Sequence, residues 1–152
     1  MEEMKPYDGP VMELDTMETH YTEKGETKVI LKANKQLELQ NGNREFPKGV
    51  FVEFYENKEV QSTLVANFGR FYKETGHYMV SGNVIIKNLK EGKKLVTEEL
   101  FWYPNNEKIK VEPDKQVIIT TKDDILYGSG LEAKQDFSTY KILKPSGETT
   151  LK

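Results

Sequence analysis

The side chains that could do chemistry are few, and their spacing works against it. His20 and His77 are the only histidines, they are far apart, and the chain has no cysteine to complete a zinc set. Glu98-Glu99 and Asp123-Asp124 are the paired carboxylates that glycoside hydrolysis would need. Adjacent strand residues point to opposite faces, however, so neither pair converges on one substrate. Gly128-Ser129-Gly130 lacks the lysine and following helix of a phosphate loop, and no Gly-x-Ser-x-Gly elbow occurs. A bend in a strand is the better reading of that triplet. Trp102 with Phe101 and Tyr103 offers surface for stacking on a sugar, against which stands simple core packing. We expect no enzymatic activity, no metal and no cofactor.

The elements that carry these residues must be thin. At 152 residues the chain suits one domain, yet only 36% of it is hydrophobic, so the core has to be built by alternation rather than by continuous apolar segments. Formal net charge is −3, and no Lys/Arg cluster accompanies the aromatics, which argues against nucleic acid as a partner. No apolar run approaches the roughly 20 residues needed to cross a bilayer.

Short β-branched and aromatic runs alternate with polar turns throughout, and no 3.6-residue apolar period lasts beyond two turns. Residues 1–10, acidic and broken by Pro6, Gly9 and Pro10, read as a mobile tail, residues 11–147 as a single β domain, and residues 148–152 as a second tail. The central hairpin runs from Gly82 to Trp102. A two-residue loop at Glu91-Gly92 would set Ile86 against Thr97 and Asn88 against Leu95. Leu95 and Leu100 are separated by an odd number of residues, which breaks alternation, so a β-bulge is expected at Glu98-Glu99. Past it, Leu100 would face Val84 and Trp102 would cover Gly82. Lys108 to Glu112 reads as a brief strand ended by Pro113-Asp114.

A repeat supports an all-β fold. Leu31-Lys32-Ala33, Leu64-Val65-Ala66, Leu95-Val96-Thr97 and Leu131-Glu132-Ala133 each place a leucine two residues before a small residue, about 31 to 36 residues apart. Stacked hairpins that bury one shared face would produce this spacing.

The motifs Gly82-Asn83-Val84, Leu95-x-Thr97-Glu98-Glu99-Leu100-x-Trp102, Val117-x-Ile119 and Gly128-x-Gly130-Leu131-Glu132-Ala133 resemble the periplasmic LptC family of lipopolysaccharide export. Met17-Glu18-Thr19-x-Tyr21 and Glu132-Ala133-x-Gln135-Asp136-Phe137-x-x-Tyr140 resemble its Bacteroidetes branch, and the likeness extends over about residues 13 to 145. Glu112-Pro113-Asp114 departs from the Ser-Asp pair that the family often has there. The family's N-terminal transmembrane helix or lipid anchor is also missing from this chain, so the expectation is a full-length protein tethered to the inner membrane.

The resemblance implies an elongated, twisted, open β-jellyroll of stacked antiparallel hairpins in the periplasm. Such a protein would receive lipopolysaccharide from the jellyroll domains of an inner-membrane ABC transporter and pass it to an LptA-like bridge protein. Exposing one acyl chain of about a dozen methylenes costs about 10 kcal/mol, at about 0.8 kcal/mol for each, so a carrier must wrap its cargo in an apolar trough. On alternation and repeat, the inward residues are Val52, Phe54, Leu64, Ala66, Val84, Ile86, Leu95, Leu100, Trp102, Val117, Ile119 and Leu131. A last strand from about Asp136 to Leu143, with Phe137, Ser138, Thr139, Tyr140, Lys141 and Ile142, is expected to be the sheet edge that meets the bridge protein. The alternatives are a β-edge scaffold with a filled core, another LptA/OstA-like member of the same bridge, and a carbohydrate-binding module built on Trp102.

Overall fold

A computed structural model describes residues 9–146. The expected tails at 1–10 and 148–152 lie outside those residues, apart from Gly9 and Pro10, as does Gly147, the last residue of the expected domain. The strands are β1 (Met12–Glu23), β2 (Glu26–Glu38), β3 (Arg44–Phe46), β4 (Val50–Glu56), β5 (Glu59–Ala66), β6 (Phe68–Tyr72), β7 (His77–Asn88), β8 (Lys93–Tyr103), β9 (Lys108–Thr120), β10 (Ile125–Lys134) and β11 (Tyr140–Pro145). A single 3-10 turn, Pro104–Asn106, joins β8 to β9. All eleven strands form one antiparallel sheet, a β-jellyroll-like fold.

The topology is simpler than eleven strands suggest. Both β3 and β4 pair with β2, while β5 and β6 pair with β7, and the two couples pair with each other in step. Each couple is therefore one strand interrupted in its middle, and the whole sheet is a meander in which every strand lies beside its sequence neighbours. Short turns make this possible. Lys24 and Gly25 both take positive φ in the two-residue loop between Glu23 and Glu26, as a hairpin turn of matching twist requires.

The interruptions line up across the sheet. They fall at Pro47-Lys48-Gly49, at Asn67, at Gly82-Asn83 in β7, at Glu98 in β8, at Glu112–Gln116 in β9 and beside Gly130 in β10. Glycine is required on this line. A Cβ at Gly49 (φ +93) would stand 2.6 Å from the carbonyl oxygen of Ala66, and one at Gly82 (φ +83) 2.9 Å from the Cβ of Asn67. The sheet creases here and closes on itself: Phe54 on one side of the line packs against Trp102 on the other, ring centroids 5.6 Å apart. The apolar core lies between the two halves.

The central hairpin keeps its place but not its expected register. Its loop is Leu89–Gly92, four residues rather than two, with Asn88 opposite Lys93. The Asn88 side chain accepts from the Glu91 amide and the Gly92 amide bonds back to the Asn88 carbonyl, which makes the longer loop self-sufficient. Ile86 consequently faces Leu95 and Val84 faces Thr97, while Leu100 faces Val80 and Trp102 faces Tyr78. Relative to β8 the extra residue lies in β7, at Gly82-Asn83, not at Glu98-Glu99. Pro113-Asp114 does not end a strand either: β9 runs through it as a wide bulge opposite Gly130.

Candidate functional site

Cross-strand pairing turns the alternation of single strands into rows that run along the crease. On one half, Leu31, Val52, Leu64, Ile86, Leu95 and Ile119 are successive neighbours from β2 to β9, all at most 1% exposed. On the other half the row reads Arg44, Phe71, Tyr78, Trp102, Ile109, Ala133 and Tyr140. The first wall is aliphatic and the second aromatic, and they face each other. All twelve inward residues expected from the sequence are buried in this interior, and the four Leu-x-small triplets place both their leucine and their small residue there.

Two sets of polar bonds tie the walls together at their free margins. Tyr21 in β1 and Tyr78 in β7 share a hydroxyl hydrogen bond of 2.6 Å. Burial pushes both phenols up from their ordinary range, so the pair stays protonated and bonded through neutral pH. The second tie is the loop between β10 and β11. The Asp136 carbonyl accepts from Ser62 Oγ and from Asn88 Nδ2 (2.9 Å) on the aliphatic side, and the Ser138 carbonyl accepts from Lys93 Nζ (2.7 Å). On the aromatic side Trp102 Nε1 donates to Gln135 Oε1 at 2.9 Å, and the Gln135 amide donates to the Glu107 carbonyl. Phe137 sits between the walls with no exposed surface and stacks on Tyr140, with the Lys93 ammonium over both rings.

This corrects the expected partner edge. The last strand is β11, Tyr140–Pro145, and Phe137, Ser138 and Thr139 belong to the turn before it. Phe137 is core: a positive φ of 57° turns its ring inward. Tyr140, Lys141 and Ile142 do lie on a strand that, among the described residues, pairs only with β10 and so stands at the edge of the sheet. At the opposite end, again among the described residues, β1 pairs only with β2.

Several of these residues were absent from the expected site. Ser62 and Asn88 follow the parity of Leu64 and Ile86, so a polar residue in an inward slot was the available signal. Asp136 acts through its main chain, which no side-chain pattern reports. Gln36, buried beyond the crease on β2, and Arg44 on β3, partly exposed but with a buried Nε, follow a phase that changes between Ala33 and Gln36.

The chemistry-bearing residues stay apart. Exposed His20 bonds to Glu18, and His77 stacks between Tyr72 and Tyr103 on the outer face. Asp123-Asp124 lies in the Thr121–Asp124 turn. Among the described residues no three potential ligands gather to hold a metal ion. Trp102 is fully buried while Phe101 and Tyr103 face the other way, so they form no shared sugar platform. No described helix is long and apolar enough to cross a membrane.

No curated protein matches the chain at a significant level. The sequence profile described as "Lipopolysaccharide-assembly, LptC-related" matches residues 11–145, which spans every strand of the sheet and both ties across it. The chain therefore belongs to the LptC family, a family of lipopolysaccharide transport rather than of enzymes.

Proposed function

We propose that the domain is a periplasmic lipid carrier, taking lipopolysaccharide from an inner-membrane ABC transporter and handing it to an LptA-like bridge protein. The observation that carries this reading is the unbroken aliphatic row from Leu31 to Ile119. It runs along the direction in which strands are added, toward Thr19 of β1 at one end and Leu126 of β10 at the other, so a second jellyroll paired at an edge strand would lie along the same axis. Acyl chains lying along such a row could pass between domains without meeting water. In a loaded domain, a photo-crosslinker at Ile86 gives a lipopolysaccharide adduct and one at Lys87, its outward neighbour, does not. Equal labelling at both sites overturns the reading.

A second reading has its own support. Trp102 packs on Tyr78, Phe54 and Tyr21 within 6 Å, as a permanently filled core would. In that case the domain is a scaffold that works only through its edges, and neither position labels although the partners still bind. The edge contact is tested by proline at successive positions from Tyr140 to Leu143, since amides along an edge strand point alternately to the sheet and outward. One parity should lower the melting temperature. The other should abolish capture of the bridge protein with the melt unchanged.

A further inference from the structure

At the β1 end the interior holds two polar atoms that the fold does not satisfy. Gln36 is 4% exposed, and its Oε1 has no hydrogen-bonding partner, nor has the buried Nε of Arg44. Leu37 faces Glu45 and Glu38 faces Arg44 across β2 and β3, which puts Gln36, Glu38 and Arg44 on one face. Gln36 and Arg44 are then diagonal neighbours, within reach of side chains of their length. A buried acceptor and a buried donor left unmade cost stability, and folds seldom keep them without use.

Their surroundings indicate an amphiphile. Leu14 and Met12 of β1 are the direct cross-strand neighbours of Gln36 and Glu38, and both remain largely exposed, at 40% and 48%. The Arg44 guanidinium lies 5.4 Å from the Phe71 ring, the next member of the aromatic row that leads to Tyr78 and Trp102. Apolar surface thus continues inward from the polar pair. The pair needs one acceptor and one donor from its ligand: an oxygen for Arg44 Nε and an N–H or O–H for Gln36 Oε1. Glu38, on the same face and directly opposite Arg44, disfavours a phosphate there. A neutral secondary amide meets all these conditions.

Resting on the lipid-carrier reading, we infer that Gln36 and Arg44 bind the amide-linked root of an acyl chain on an amino sugar. The carbonyl accepts from Arg44, Gln36 accepts from the amide N–H or a neighbouring hydroxyl, and the chain runs inward along the aromatic wall.

The test uses three ligands with the same chain length: N-dodecanoylglucosamine, dodecyl glucoside and dodecyl phosphate. Binding is followed through Trp102, the one tryptophan of the chain. The amide-rooted ligand should bind roughly tenfold tighter than the glucoside, as one or two hydrogen bonds to a charged or amide group provide. Gln36→Leu and Arg44→Met should each remove that preference. Their melting temperatures should hold or rise, since each removes a buried group that the fold leaves unpaired. Equal binding of amide and glucoside overturns this inference and spares the carrier reading, whereas binding of neither ligand overturns both. Tightest binding of the phosphate, or a melt lowered by several degrees in either variant, also overturns it.

Discussion

The two walls of the interior are made from the same strands, yet they stabilise the fold by different means. The aliphatic wall is a lattice of β-branched and leucine side chains, each held by neighbours on the strands beside it. Its contacts are non-directional, so it can be parted and re-formed at little geometric cost. The aromatic wall is anchored at named atoms: Tyr78 to Tyr21, Trp102 to Gln135, and rings stacked at fixed angles. On the proposed carrier reading, the aliphatic surface would yield to acyl chains while the aromatic one keeps its shape. The sequence cause is local, since β7 and β8 are aliphatic on one side of the crease and aromatic on the other.

The largest effect is expected from a charge in the aliphatic wall. Ile86 is fully buried with Leu64 and Leu95 on either side. Ile86→Glu should cost about 5 kcal/mol or more, since its carboxylate has no partner, while Lys87→Glu on the outer face should stay within about 0.5 kcal/mol. Chemical denaturation of both variants checks this. A small effect at Ile86 would mean that water already reaches the wall.

Next comes the anchored wall. Trp102→Ala should lose about 3–5 kcal/mol, the usual range for truncating a buried large aromatic. It also frees Gln135 Oε1, so the loop carrying Phe137 should become exchange-labile in hydrogen exchange while β4 and β5 keep their protection. Uniform loss of protection would show that the two walls do not differ in how locally they respond.

Much of this architecture was legible in the sequence, because inward and outward alternation is a local property that every strand carries. The twelve inward residues follow from period two together with the repeat and one expected bulge, and three of the repeat's four leucines, Leu31, Leu64 and Leu95, reappear in the aliphatic row. What could not be read was which strand takes the extra residue where alternation breaks. The odd spacing of Leu95 and Leu100 does report the crease, since buried positions in β8 change phase between Thr97 and Leu100. Relative register depends on both strands, however, and the extra residue sits in β7. The Asp136 tie was illegible for a related reason: it joins a backbone carbonyl to side chains 48 and 74 residues away.

That tie supplies a more modest effect. Asn88→Ala removes the donor to the Asp136 carbonyl and the acceptor of the Glu91 amide, with Ser62 left as a partner for the carbonyl. The expected loss is about 1–3 kcal/mol. If the loop joins the walls as described, Ser62→Ala combined with Asn88→Ala should cost more than the sum of the single variants, because only the double variant leaves the partly buried Asp136 carbonyl without both of these donors. Additive losses would place the stabilisation in the hairpin loop instead.

The smallest effect tests whether the aromatic half is also rigid on its outside. His77 stacks on Tyr72 at 4.7 Å and on Tyr103 at 5.1 Å, its cross-strand neighbour on the first side, and Thr75 Oγ1 bonds to its Nδ1. Burial against these rings lowers the imidazole pKa below its usual 6.5. The unfolded chain, with the higher pKa, then binds more protons than the folded one around that value. Stability is therefore fully present above about pH 6.5 and declines as pH falls through the lower folded pKa. The ring is only half-buried and solvent screens the effect, so the expected drop in Tm is on the order of a degree or two. Carboxylates contribute their own acid dependence, so the measurement is a difference: Tm of the protein minus that of His77→Phe, followed from pH 8 to pH 5. A difference that shrinks on acidification places the imidazole in the stack as a neutral ring. A difference that grows would mean that the folded state prefers the imidazolium, with the two tyrosine faces holding it as a cation.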